Sequence, residues 1–320
     1  MLRQRASRRR TVGWLLLVAA LTLIPAAIGV AHSANAQDAS LLLVDDEQTA
    51  TPALVPVDLT AADGVAAPGS QLMLPEGFSA EVIASGLVAP RFMTFDDAGN
   101  LLVADQEAGA VYRYPANDDG AIDPAGAPPD PLISGLDSPS NVALYEDGDT
   151  LYLYVGETSQ VSRFPYAPAG PVGDGEVVIP DLPTGGHNTR TVLFLDDKLY
   201  LAVGSSCNIC DEDDDRRAAV MRYNPDGSGE ERFAWGLRNP VGLAVQPDTD
   251  TLWATVNERD NQGNEIPPDL VTIVTEGADY GWPACQPPHA PPPPHRHARP
   301  GPPPPPPRIP AHPPPLALAP

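Results

Sequence analysis

Residues 86–104 contain Gly86-Leu87-Val88-Ala89-Pro90, an apolar run Phe92-Met93-Thr94-Phe95, the turn Asp96-Asp97-Ala98-Gly99-Asn100 and a second apolar run Leu101-Leu102-Val103-Ala104. Two short segments of strand-forming residues separated by Asp, Gly and Asn predict a pair of antiparallel strands. The pattern recurs. A second copy has Gly135-Leu136-Asp137-Ser138-Pro139 ahead of Leu151-Tyr152-Leu153-Tyr154, a third runs from Leu182 to Tyr200, and a fourth has Gly236-Leu237-Arg238-Asn239-Pro240 ahead of Leu252-Trp253. The second strand of each unit begins at Leu101, Leu151, Leu199 and Leu252, at intervals of 50, 48 and 53 residues, and a polar loop then leads to a third strand. No long helical periodicity competes, so the fold is all-β, and a repeat of this length is the period of propeller blades. A single blade cannot cover both of its own faces, so the apolar strands must pack on neighbouring blades. Four units occupy residues 77–283, and a closed six-bladed ring would take roughly another 100 residues at the same period.

Outside this repeat the composition changes abruptly. Residues 1–36 carry Arg3, Arg5, Arg8, Arg9 and Arg10, the apolar run Val12 to Val30, and then Ala34-Asn35-Ala36. That order predicts a cleaved secretory signal and an exported, periplasmic or extracellular protein. If uncleaved, the same segment is long enough to anchor the chain, the one membrane contact the sequence suggests. Residues 37–70, rich in Ala, Asp, Thr, Val and Pro, predict a disordered linker, and 71–286 hold the incomplete propeller. Residues 287–320 contain 18 prolines in 34 residues, four of the six histidines and no acid. They suit a polyproline II tail, or an out-of-frame read of GC-rich DNA that interrupts the repeat.

Without the two ends, 11 Lys and Arg face 42 Asp and Glu, a formal charge of −31 that excludes nucleic acid as a partner. Cys207 and Cys210, with two residues between them in a chain expected to be exported, predict a local disulfide ahead of zinc ligation or a redox pair.

In a propeller, the segments that lead into the innermost strands line one rim of the central channel, so residues at equal phase face one site. His187 lies 12 residues before Leu199, and Arg238 lies 14 before Leu252, which should bring them together at the channel mouth. His187 is the only histidine between residues 37 and 286, set in Gly185-Gly186-His187-Asn188-Thr189-Arg190-Thr191. An imidazole there is suited to take a hydroxyl proton near neutral pH, against the plainer role of a structural histidine. Arg238 and Asn239 could fix an anionic or carbonyl ligand, or the arginine could form a rim salt bridge. The loop from Asn257 to Glu265 is dense in oxygen ligands of the kind calcium takes, and equally suits a solvated acidic turn. Asp211-Glu212-Asp213-Asp214-Asp215 suits a solvated loop.

Taken together, Gly185 to Thr191, Arg222-Tyr223-Asn224-Pro225-Asp226-Gly227, Leu237-Arg238-Asn239-Pro240-Val241-Gly242-Leu243-Ala244, Asn257 to Asp260 and Asp279-Tyr280-Gly281-Trp282-Pro283 resemble the soluble pyrroloquinoline quinone (PQQ)-dependent glucose/sorbosone dehydrogenases over residues 72–286. The resemblance implies PQQ on the rim of a six-bladed propeller, a calcium ion on the quinone, a sugar substrate and an external electron acceptor. It implies His187 as the general base, Arg238 as a catalytic residue, and Arg238, Asn239 and Arg259 as cofactor-binding residues. Backbone carbonyls of Asp260 and Asn261 would ligate calcium, although the glucose enzymes carry Gly-Pro there. Gly186 stands where those enzymes have an aspartate, which implies an aldose or sorbosone-type substrate. The basic residues that grip the cofactor carboxylates in that family belong to later blades. A non-catalytic propeller binding carbohydrate or protein on the same rim is the alternative of a different class. A lactonase-type metal hydrolase fits less well, for want of a carboxylate and amide cluster drawn from several blades.

Overall fold

The computed structural model describes residues 53–62, 65, 69–247, 249–263 and 266–285. The expected signal, the start of the expected linker and the proline-rich tail lie outside the described residues. All regular structure among the described residues is β. Residues expected in the linker are in part ordered: β1 (Leu54–Asp58) is followed by β2 (Thr60–Ala61), β3 (Gln71–Pro75) and β4 (Glu81–Val82). β1 pairs antiparallel with β3 and β2 pairs parallel with β4. The alternating Leu54-Val55-Pro56-Val57 pattern was obscured by a proline, which here sits in a two-stranded edge.

The four predicted repeats are four meandering sheets. The first comprises β5 (Pro90–Phe95), β6 (Leu101–Asp105), β7 (Ala110–Tyr114) and β8 (Ile133–Ser134), and the second β9 (Asn141–Asp147), β10 (Thr150–Gly156), β11 (Val161–Pro165) and β12 (Glu176–Ile179). The third comprises β13 (Arg190–Leu195), β14 (Lys198–Val203), β15 (Ala219–Tyr223) and β16 (Glu231–Trp235). The fourth has β17 (Pro240–Gln246), β18 (Thr251–Val256) and β19 (Leu270–Ile273). The second strands start within one residue of the leucines that set the phase. A short fourth strand, unforeseen in the repeat, closes each of the first three blades.

Local chemistry explains the hairpins. Asp96 accepts the amides of Ala98 and Asn100 at 3.0 and 2.8 Å and so shapes the first turn. Between β13 and β14 both turn residues, Asp196 and Asp197, have positive φ, the backbone of a two-residue turn whose twist matches its strands.

Packing between blades follows from the two-residue alternation. On β10, Leu153 and Val155 bury against Leu102 and Val111 of the first blade, whereas Tyr154 joins Leu199, Leu201 and Tyr223 of the third. Tyr200 and Val220 likewise meet Leu252 and Ala254 of the fourth. Each buried Leu, Val or Tyr contributes about 1.5–3 kcal/mol, so interfaces between blades dominate stability. The innermost strands β5, β9, β13 and β17 lie side by side in that order. Polar stitches bind them: the Phe92 amide donates to the Ser140 carbonyl at 3.1 Å, the Val192 amide to Asn141 Oδ1 at 2.9 Å, and the Thr191 hydroxyl to the Val241 carbonyl. The loops entering β13 and β17 are thereby fixed at one end of the ring.

Candidate active site

The loop entering β13 carries His187 and the loop entering β17 carries Arg238 and Asn239. One residue, Ser205, just beyond β14, bridges them: the His187 amide donates to its carbonyl at 3.0 Å, and its own amide donates to the Arg238 carbonyl at 2.8 Å. The two loops that phase placed on a common rim are thus joined through one residue.

His187 is half-buried. Its Nδ1 lies 3.0 Å from both the carbonyl and the hydroxyl oxygen of Ser205. The Ser205 hydroxyl donates to the Cys207 carbonyl at 2.7 Å, leaving that oxygen to act as an acceptor toward the ring. Two acceptors at Nδ1 assign the proton to that nitrogen and the lone pair to Nε2. Burial holds the imidazole below its ordinary pKa; the Ser205 hydrogen bond opposes this and the Arg238 charge adds to it. The ring is therefore neutral at pH 7, with a basic Nε2.

Two glycines make this geometry possible. Gly204 has no room for a side chain, since a Cβ would run into Asn239 Oδ1 and the His187 Cβ. Gly186 has φ +66°, and its missing Cβ would strike the backbone of Ser206. An aspartate at that position would require a different course of the loop.

Arg238 is only 2% exposed, and all five of its N–H donors are engaged inside the protein. Nε donates to the Asn208 carbonyl at 3.1 Å, Nη1 to the carbonyls of Asn257 and Glu258 at 3.2 and 2.5 Å, and Nη2 to Asn208 Oδ1 at 2.9 Å and Asp260 Oδ2 at 2.8 Å. The guanidinium expected to meet a cofactor here organises the loop after β18 and places its charge beside His187. Asn239, in contrast, is 6% exposed, and its Oδ1 has no hydrogen-bond partner. A buried amide oxygen without a partner costs about 1–3 kcal/mol, a cost a ligand can relieve.

Arg259 is turned elsewhere, donating to the carbonyls of Pro283 and Cys285 at 2.6 and 2.8 Å. No hydrogen bond among the described residues joins it to His187 or Asn239, its expected fellow site residues. Asp260 and Asn261 are exposed, and Asn261 has φ +64°. The Asp260 carbonyl accepts from Asn208 Nδ2 at 3.0 Å, which leaves its second lone pair available to a cation. Glu258, next to it, is 6% exposed; burial pushes its carboxyl up to about 7, and its Oε2 has no partner. Cys207 and Cys210 form a disulfide with a Cα–Cα distance of 6.1 Å.

Ser205 and Asn208 escaped the sequence reading, and Glu258 entered it only as one oxygen-bearing residue of the loop from Asn257 to Glu265. Ser205 and Glu258 carried a signal that was there to use: each stands six residues after its second-strand leucine, as Glu157 does in the second blade. For Asn208 the enclosing cysteine pair was the clue.

Comparison with known proteins adds a family and a fold. Residues 72–287 match the model of a family described as TrAA12-like. A curated relative from Hypocrea jecorina, a pyrroloquinoline quinone-dependent sugar dehydrogenase, is 26% identical over 246 residues, covering 66% of this chain and 56% of its own length. This chain thus spans little more than half of that relative. Among solved structures, the holo form of the pyranose dehydrogenase PQQ domain from Coprinopsis cinerea superposes with a TM-score of 0.62 at 20% identity, over 71% of this chain and 62% of that one. The calcium structure of the Trichoderma reesei carbohydrate-active enzyme of family AA12 gives 0.55 at 23% identity, over 64% and 58%. At these identities the structural matches establish the propeller fold alone.

Proposed function

Because the chain belongs to the TrAA12-like family, we propose that it is a PQQ-dependent dehydrogenase of an aldose or sorbosone-type sugar, with His187 as the general base. The observation that carries this reading is the half-buried imidazole with Nδ1 occupied and Nε2 open, beside an Asn239 amide oxygen that lacks a partner. The residues present suit a planar cofactor on this side of the rim that offers an N–H or O–H donor to Asn239 Oδ1. Asn239 would contact it, and the Asp260 carbonyl, with Asn261 behind it, would hold calcium. When bound, PQQ accepts the hydride from the sugar carbon and calcium polarises the quinone.

The residues of this chain would divide the remaining work. His187 Nε2 takes the proton of the sugar hydroxyl as the hydride departs, and Ser205 holds the ring so that the proton arrives at Nε2. Arg238, fixed by five internal bonds, contributes a positive charge that favours developing negative charge on a neighbouring oxygen and keeps the imidazole neutral beforehand. An exported protein passing electrons to an external acceptor is the setting this implies. N-terminal sequencing of the mature protein should find residues 1–36 removed.

The test is dye reduction by purified protein supplied with PQQ, calcium and a panel of aldoses. Reduction that is abolished by His187→Ala supports the proposal; no reduction with any aldose would falsify it. The second reading, a rim that binds carbohydrate or protein without catalysis, draws on the saturation of Arg238, which leaves no donor from that side chain for a cofactor. Aldose binding by calorimetry without dye reduction would select it.

A further inference from the structure

Asn208 lies between the two bonded cysteines, in the loop that follows β14. Its amide is used at both ends on two other blade segments. Oδ1 accepts from Arg238 Nη2 at 2.9 Å and from the Asp260 amide at 2.8 Å, while Nδ2 donates to the Asp260 carbonyl at 3.0 Å. The orientation of the amide is settled by these partners: the Asp260 N–H demands an oxygen, and the Asp260 carbonyl demands an N–H. The main-chain carbonyl of Asn208 accepts in addition from Arg238 Nε at 3.1 Å and Trp282 Nε1 at 3.3 Å. One residue thus makes a reciprocal pair with the main chain of another 52 positions away and grips an arginine 30 positions away. The loop that presents it is short and constrained. The Cys207–Cys210 disulfide closes its two ends, and the Cys207 carbonyl receives the same Ser205 hydroxyl that faces His187.

We propose that Asn208 is a positioning residue, which fixes the Asp260 carbonyl and the Arg238 guanidinium against the His187 loop so that the base and the cation-binding oxygen face one ligand. It touches neither substrate nor cofactor and acts through the two residues it holds. A hydrogen bond behind a ligating oxygen sets that oxygen's direction, and losing such support costs about 10–100-fold in metal affinity or activity. The inference rests on the proposed function for the identity of the ligand, but the hydrogen bonds themselves are testable without it.

The experiment compares unsubstituted protein with Asn208→Ala and Asn208→Asp in the full chain. Hydrogen–deuterium exchange of the 257–263 segment is measured without ligands, and the calcium concentration for half-maximal dye reduction is measured with PQQ and an aldose. For Asn208→Ala, exchange at the Asp260 amide should speed up about tenfold or more, with the 141–156 strands unchanged, and the calcium requirement should rise about 10–100-fold. Asn208→Asp keeps the acceptor for the Asp260 amide and for Arg238 and should restore the protection that alanine loses. Equal exchange at residues 257–263 in all three proteins, or acceleration spread evenly over the second blade, would overturn the positioning role. If the unsubstituted protein reduces no dye, the functional reading fails, and the exchange data still decide the role of Asn208.

Discussion

The rims of the first two blades and of the last two are built from the same loop, and they treat a buried carboxylate in opposite ways. In the first blade Asp105, wholly buried, accepts the amides of Val88 and Ala89, both at 2.8 Å. In the second, Glu157 accepts the Asp137 amide through Oε2 and the Ser162 hydroxyl through Oε1, both at 2.6 Å. A carboxylate there clamps the loop that enters the inner strand. In the third blade the place of Glu157, six residues past the second-strand leucine, is taken by Ser205, whose oxygens face an imidazole. In the fourth the residue is Glu258, whose Oε2 has no partner, while the loop is held from outside by Arg238. The carboxylates of the first two rims are paired, whereas Asn239 and Glu258 of the last keep an unpaired oxygen, which is where the proposed site lies.

The sharpest way to break this contrast is at His187. Replacing it with alanine should lower dye reduction with PQQ, calcium and an aldose by about 10²–10⁴-fold, the usual worth of a general base, whereas Ser138→Ala at the second-blade rim should leave the rate within about twofold. The converse experiment is Glu157→Ala, which strands the Asp137 amide and the Ser162 hydroxyl. It should cost about 3 kcal/mol in urea denaturation, with residual activity per folded molecule intact. Ser205→Ala removes one of two acceptors at Nδ1 and should cost about 1 kcal/mol of stability, yet lower the rate more than Glu157→Ala does. The smallest effect concerns pH. Burial lowers the His187 pKa from 6.5, so the neutral base persists above the lowered value and is lost as pH falls through it. The acid limb of kcat/KM should therefore have its midpoint below 6.5, and a midpoint above it would show that neighbouring carboxylates outweigh burial at the ring.

Much of this was readable before any coordinates. The spacing of Leu101, Leu151, Leu199 and Leu252 fixes where each blade turns, because the alternation of Leu153, Tyr154 and Val155 leaves no other way to bury both faces of a strand. The same phase brought His187 and Arg238 to one rim. What phase does not carry is the direction in which a long side chain points. Arg238 and Arg259 each had five donors to place, and most of the acceptors they found are main-chain carbonyls near in space, which residue types do not reveal. The strand at Leu54–Asp58 was missed for a related reason, since its partner at Gln71–Pro75 lies across a stretch of small residues, rich in Ala and Gly, that resembles a linker in composition.

Gly204 has a bearing on how this protein can change over generations. Its backbone is pressed between the histidine and the neighbouring amide, so even a methyl group must move one of them. Any side chain at position 204 therefore reaches the proposed site at once, through the imidazole on one flank or the amide on the other, although residue 204 itself would touch no ligand.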